Sequence, residues 1–468
     1  MTALSPDEIQ PHPSSYVDPH GFVFTYQGEL YRAIRNDHVP FYNYLIQSGH
    51  AASLEEAGLI QASVSEYVIP EEGCGLVLHH PRIRPTTYCV EWCPSMMKDA
   101  ALSILELCLA LGRHDCLLQD AYPWNILFEG VRPVNVDFTS VMPADEATLL
   151  WPAYQQFLSF FLYPLQLASV GKGRVARLLL FDHINGVTIE ELNRHLDWSY
   201  KIRHPVEGVT LTLSAFGENR ARSSQSMQKK VQALAAAKKG DKVMPALRAG
   251  FFKRLHRKVE GIRFPRSTDP WVQYREELAQ HSPKVKEEAI AGILSQLKPE
   301  WVLDLGCNVG HFSELAAEQG ARVVSMDTSE ACIERLYRRA RNRSLAITPL
   351  VGDALSPTPA FGHLSDQFPS MIERLQSDVV MCLALMHHLH INGRQSFERI
   401  AELLNALSRR AVIFEYVDPA DDNNARLDAG RKIDYNIESV SLALSRYFQL
   451  TRFESDRPTR TLILCEKS

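Results

Sequence analysis

The chain has 468 residues, 45% hydrophobic and 22% charged, with 50 basic against 55 acidic side chains and a formal net charge of -5. That length is more than one ordinary core serves, so two or three domains are expected, in a chain with the composition of a folded soluble protein. The acidic balance argues against a protein that binds nucleic acid over its whole surface.

The opening "MTALSPDEIQPHPSS" has no basic patch followed by an apolar stretch, so no secretory leader is expected. Residues 1–215 mix strand-like runs ("GFVFTYQGELYRAI", "GLVLHH", "TYCVEW") with helical ones ("MMKDAALSILELCLALG", "TIEELNRHLDW"). Cys89 and Cys93, or Cys108 and Cys116, lack partner histidines at zinc-finger spacing. Buried thiols in a reducing cytoplasm, and no metal site, are the expectation. The most apolar segment, "LLWPAYQQFLSFFLYPLQLASV", carries two prolines and several glutamines, which predicts buried helices rather than a membrane span.

Within this half lies "QDAYPWNILFEGVRPVNVDFTS", with Asp120 five residues before Asn125 and an Asp137-Phe138 pair after a strand-like "PVNVDF". The order and spacing resemble the catalytic loop of kinases and of aminoglycoside and choline phosphotransferases. That resemblance implies a base at Asp120 and metal contacts at Asn125 and Asp137. Leu118 stands where that family has a histidine, no glycine-rich loop precedes "GELYRAI", and the strand lysine is replaced at best by Arg32. Arginine does not reproduce a lysine's compact phosphate contact. Residues 1–215 are therefore read as an α+β, degenerate kinase-like domain that helps select the acceptor. The plainer alternative has Asp120 and Asn125 tying the loop to its own backbone.

Residues 216–268 form a basic stretch read as a linker or helical bridge. Lys229, Lys230, Lys238, Lys239, Arg254, Arg257 and Lys258 could engage RNA phosphates or an anionic acceptor. Aromatic residues are sparse beyond Phe251 and Phe252, so base stacking is poorly supported and a solvated helix face is preferred.

From residue 269 to 468 a helical pattern leads to Pro299, and strands then alternate with helices. "WVLDLG", "ARVVSMD", "ITPLVGD", "SDVVMCLAL" and "RAVIFEYV" read as strands; "HFSELAAEQ", "SEACIERLYRRARN" and "QSFERIAELLNALS" read as helices. Such succession predicts an α/β, Rossmann-like parallel sheet with helices on both faces. "VLDLGCNVG" is a buried strand entering a glycine turn, where backbone and helix N-terminus can meet a ligand. A dinucleotide fingerprint fails, because Asn308 and His311 stand at its second and third glycine positions.

The turn resembles instead the first motif of class I S-adenosylmethionine-dependent methyltransferases, and further elements recur in the family's order. The resemblance implies a loop around the methionine end from Asp304, Gly306, Cys307, Asn308 and Gly310. It implies ribose contacts from Asp327 and Thr328, a place beside the adenine for Asp353 and Ala354, and a substrate edge from Leu383 onward through "LALMHHL". For a hydroxyl or amine acceptor, His387 or His388 is the candidate base and Glu415 a second polar candidate. "PLVGDALSPTPAFGH", "LALMHHLHI", "IFEYVDPADD" and "IDYNIESVSLALSRYF" are similar to a bacterial subgroup that includes a host-specificity nodulation methyltransferase of rhizobia. A small-molecule or glycan-like acceptor is the class this implies. The competing readings are a bifunctional kinase–methyltransferase, an RNA methyltransferase using the basic stretch, and a non-catalytic cofactor-binding protein.

Overall fold

The computed structural model describes residues 1–15, 18–144, 151–204, 243–267, 269–271, 284–421, 434–453 and 457–467. The chain divides into two compact units, Met1–Phe128 with Pro133–Arg266, and Glu129–Arg132 with Ser267–Ser468.

The first unit holds an antiparallel sheet of β1 (Gln10–Pro11), β2 (Gly21–Tyr26), β3 (Glu29–Arg35), β4 (Ser63–Val64) and β5 (Cys74–His80), in the order β1-β2-β3-β5-β4. Gln27 and Gly28 join β2 to β3 with positive φ at both residues (51° and 85°), the backbone a two-residue hairpin between twisted strands prefers. The helical part is built on α1 (Pro94–Leu111), whose Pro94 opens the first turn and whose Met97, Ala101, Ile104, Leu105, Cys108 and Leu111 are buried.

Helix α2 (Val243–Glu260) packs on α1 within this same unit. Phe252, Leu255 and Val259 are buried at helical spacing, and Lys98 on α1 donates to the carbonyls of Glu260 (2.8 Å) and Ile262 (2.9 Å). The part of the expected bridge that includes Arg254, Arg257 and Lys258 is thus a docked helix, because its sequence carries an apolar stripe among the charges. Lys229, Lys230, Lys238 and Lys239 lie outside the described residues. The apolar segment around residue 160 is a buried run of short helices, Tyr154–Phe157, Leu158–Leu162 and Tyr163–Ser169. Among the described residues no helix is long and apolar enough to cross a membrane.

The second unit places α3 (Lys284–Leu297) ahead of the sheet strands β6 (Trp301–Leu305), β7 (Arg322–Asp327), β8 (Ile347–Val351), β9 (Ser377–Leu383), β10 (Ser408–Val417), β11 (Phe448–Phe453) and β12 (Arg460–Lys467). Helices α4 (His311–Glu318), α5 (Glu330–Arg343) and α6 (Phe397–Leu407) connect them. The strand order is β8-β7-β6-β9-β10-β12-β11, parallel from β8 to β10 and antiparallel at β12 and β11. All of β6 and β8, and nearly all of β9 and β10, is buried, which is why these strands read as unbroken apolar runs. The chain leaves β6 for β7 on one side and later returns to β9 on the other. The carboxyl ends of β6 and β9 therefore flank a topological switch point, where open α/β sheets take their ligands.

All nine cysteines are buried, and none of these residues forms a disulfide.

Candidate active site

At the carboxyl ends of β6–β10 the second unit opens a cleft of ≈ 710 Å³. Its floor begins at the turn after β6. Gly306, with φ 69°, bonds through its amide to the carbonyl of Met326 (2.8 Å), pinning the turn to β7. Asn308 takes φ 50°, a left-handed conformation asparagine tolerates, and sends its side-chain amide to the carbonyl of Trp271 (3.2 Å).

Asp304, at the end of β6, is buried and accepts a hydrogen bond from Ser313 on α4 (2.6 Å). Burial is the main reason its carboxyl is pushed up to about 6, with Asp327 adding to the shift and Ser313 and Lys286 opposing it. Asp327, at the end of β7, accepts the amide N–H groups of Asn308 and Ser329, both at 2.8 Å. Its pKa is also raised, again by burial first, while those two amides hold it down. Asp353, past β8, accepts the amide of Leu355 (2.9 Å).

Of the residues singled out in the sequence, Asp304, Gly306, Cys307, Asn308, Asp327, Thr328, Asp353, Ala354, Leu383, His387, His388 and Glu415 all line this one cleft. Gly310 does not. A β-carbon there would sit 2.4 Å from Leu336 Cδ1, and its φ is 83°, so this glycine lets α5 pack against the start of α4.

The opposite wall differs in charge. Glu415 on β10 is 2% exposed and lies between Lys286 Nζ, 2.5 Å from Oε2, and Arg460 Nη1, 3.6 Å from Oε1. Arg460 also bonds Asp421 through Nε at 3.1 Å. His387 is buried, and its Nδ1 has no hydrogen-bond partner among the described residues. Burial, then His388 and Arg460, push its imidazole down to about 3 against the pull of Asp421. This differs from the near-neutral imidazole expected of a base, because the site is too dry and too cationic to favour imidazolium. His388, lowered by burial, meets the ring of Trp271 edge-on at 5.5 Å. Trp271, Lys286, Asn392, Arg457 and Arg460 line the cleft as well, and sequence reasoning missed them. A usable signal existed for the cations: a glutamate inside the apolar run "VIFEYV" requires one once buried.

In the first unit the structure brings Asp120, Asn125 and Asp137 to one place. Asn125 donates to Asp137 Oδ2 (3.3 Å), Thr139 donates to Oδ1 (3.1 Å), and the amide of Asp120 donates to Ser140 Oγ (2.9 Å). Buried Arg32 reaches from β3 to Asp137 Oδ1 (3.3 Å), to Thr139 Oγ1 and to the carbonyl of Val136 (3.2 Å). Asp120 has its pKa raised by burial and by the charges of Asp137 and Asp18.

Residues 302–406 match the family model described as "Methyltransferase domain". The nodulation protein NoeA of Rhizobium meliloti (strain 1021) is 27% identical over 452 residues, 92% of this chain and 90% of that protein. A malonyl-[acyl-carrier protein] O-methyltransferase of Hamiltonella defensa subsp. Acyrthosiphon pisum (strain 5AT) is 31% identical over 98 residues, 21% of this chain and 36% of that protein. Among solved structures, magnesium protoporphyrin IX methyltransferase (ChlM) of Synechocystis PCC 6803 with bound SAM aligns at 16% identity and TM-score 0.28, covering 39% of this chain and 80% of that one.

Proposed function

From the premise that this chain is a methyltransferase taking S-adenosylmethionine, we propose that it methylates a small metabolite or glycan-like acceptor in the cytoplasm. The observation that carries this is the convergence of three carboxylates, from the ends of three adjacent strands, on one cleft behind a glycine turn.

The residues fit the cofactor. Asp327 and Thr328 suit ribose hydroxyls, Asp353 and Ala354 the base, and Asp304 with Gly306, Cys307 and Asn308 the cationic amino-acid end. Asp304 is a buried carboxyl raised towards neutrality, so a cation beside it relieves an existing penalty. Leu383 closes the wall towards the acceptor. The cofactor supplies an already activated methyl group; the protein binds, aligns and excludes water. His387, His388 and Glu415 stand on the acceptor side. The neutral imidazole of His387 is suited to orienting an acceptor by a hydrogen bond and ill suited to keeping its proton.

The first unit is read as a kinase-like fold without phosphotransfer, serving acceptor selection. Supporting this, Asp120, Asn125 and Asp137 lie together while Arg32 occupies the Asp137 carboxylate that a metal would need. That ion pair is the argument against the bifunctional reading.

The test is calorimetric titration of the full chain with S-adenosylmethionine and S-adenosylhomocysteine, followed by transfer of labelled methyl to a fractionated cell extract. Binding of both and label in a small molecule are expected. No binding refutes the cofactor site, and label in RNA refutes the acceptor class.

A further inference from the structure

Trp271 ties the two sides of the cleft together. Its amide donates to Asp269 Oδ1 (2.9 Å), and the other oxygen of that carboxylate accepts from Ser329 Oγ (2.6 Å), at the start of α5. Its carbonyl accepts from the side-chain amide of Asn308, in the turn after β6 (3.2 Å). Its ring reaches the other way, to His388 past β9, with centroids 5.5 Å apart and planes at 84°. The backbone of Trp271 is thus anchored at the glycine turn while its indole lies against the acceptor side. These anchors bracket the switch point between β6 and β9. From Gly306 to His388 the cleft is lined by Leu383, Ala384 and Leu385. Leu385 lies so close to the turn that a β-carbon on Gly306 would sit 3.0 Å from its Cδ1. Asp327 and Asp353 stand further along the sheet, past the tips of β7 and β8.

A nucleoside whose amino-acid end meets the glycine turn, and whose methyl points to the acceptor side, brings its sulfur to this junction of indole and aliphatic side chains. Resting on the methyl-transfer reading above, we infer that Trp271 recognises the positive charge of the sulfonium, and so sets the preference of the site for the methyl donor over its demethylated product. A sulfonium has no N–H or O–H to donate, so ordinary hydrogen bonding does not single it out. The negative face of an aromatic ring attracts such a cation electrostatically, as it does quaternary ammonium ligands, and tryptophan is the strongest of the aromatic side chains in this role. The attraction grows as water is withdrawn. Trp271 is 46% exposed, and a nucleoside entering the cleft covers part of that surface. Once the methyl has left, sulfur is neutral and the attraction is gone.

The experiment titrates the full chain and its Trp271→Leu and Trp271→Phe variants with S-adenosylmethionine and with S-adenosylhomocysteine, by calorimetry. The readout is the ratio of the two affinities, which a merely structural role of Trp271 would leave unchanged, because the two nucleosides differ only in the methyl group and its charge. Trp271→Leu is expected to lower S-adenosylmethionine affinity by roughly fivefold to thirtyfold more than S-adenosylhomocysteine affinity, the scale of a cation held over an indole out of water. Trp271→Phe should move the ratio in the same direction and by less. Equal weakening of both nucleosides by Trp271→Leu, or no change in either, overturns the inference and leaves the methyltransferase reading standing. If Trp271→Leu binds neither nucleoside, Trp271→Phe decides, and a ratio equal to that of the wild type overturns the inference. A wild-type chain that binds neither nucleoside overturns the methyltransferase reading itself, and the inference with it.

Discussion

Lys286 Nζ lies 2.5 Å from Glu415 Oε2, joining α3 to β10 with side chains only 13% and 3% exposed. Breaking a buried pair by removing one partner leaves the other charge without compensation. Glu415→Gln is expected to lower the stability of the second unit by about 3–5 kcal/mol in urea unfolding. The double variant Lys286→Met/Glu415→Gln should lose less than the sum of the single changes. Additive losses would mean that the two groups do not interact.

Asp327 accepts two backbone amides and faces the cleft, so it serves the turn and the ligand at once. Asp327→Ala is expected to weaken S-adenosylhomocysteine binding by roughly 10–100-fold, the worth of one or two charged hydrogen bonds. Asp327→Asn should lose less. Calorimetry showing unchanged affinity in both would remove Asp327 from the site.

The raised carboxyl of Asp304 links cofactor binding to pH. Its folded value of about 6 lies above that of the unfolded chain. Its contribution to stability is therefore full below the unfolded value and is lost as pH rises through about 6. Asp304→Asn should flatten this part of the stability profile. A bound ammonium or sulfonium favours the ionised form, so S-adenosylhomocysteine affinity should rise as pH passes through about 6, with a binding heat that depends on the buffer's ionisation enthalpy. A pH-independent affinity would contradict the placement of a cation beside Asp304.

His387 works in the opposite sense. Its folded value of about 3 lies below the unfolded one, so its contribution is present above the unfolded value and is lost as pH falls through about 3. Between about 4 and 6 the slopes from His387 and Asp304 oppose one another. His387→Leu should therefore expose the Asp304 slope, which wild-type unfolding curves partly conceal. Identical pH profiles for the two proteins would show that the imidazole is not held neutral.

Arg32 and Asp137 form the matching pair of the first unit, 3.3 Å apart with Arg32 7% exposed. Asp137→Ala is expected to destabilise that unit by roughly 3 kcal/mol, and Arg32→Met/Asp137→Ala by less. No ATP turnover is expected in the wild type. Turnover abolished by Asp137→Ala would establish phosphotransfer instead.

What the sequence discloses follows from how local each signal is. The strand ending "VLDL" and the glycine turn after it are read directly, because a buried parallel strand is a continuous apolar run and its ligand-facing acid stands at the end. "FQLTRF" and "RTLILCEK" escape a local reading: the first is an edge strand that mixes charged with apolar residues, and only the antiparallel register of β12 against β10, and of β11 against β12, reveals the pair. The partners of Glu415 lie 129 residues before it and 45 after it in sequence, so no local spacing announces them. Gly310 fits a loop glycine in the motif, yet its need is set by Leu336 on the next helix. In the basic stretch, Phe252, Leu255 and Val259 stand at helical spacing, but the density of lysine and arginine around them masks the apolar stripe.

The complete burial of the thiols gives the molecule a built-in clock. Cys74, Cys89, Cys93, Cys108 and Cys116 belong to one unit and Cys307, Cys332, Cys382 and Cys465 to the other. A pulse of alkylating reagent should leave the native chain unmarked and tag each cysteine only when its surroundings open. Mass spectrometry of the tagged peptides would then time the breathing of the two units separately, with no engineered probe. Cys307, in the cleft wall, should slow further when a nucleoside covers it.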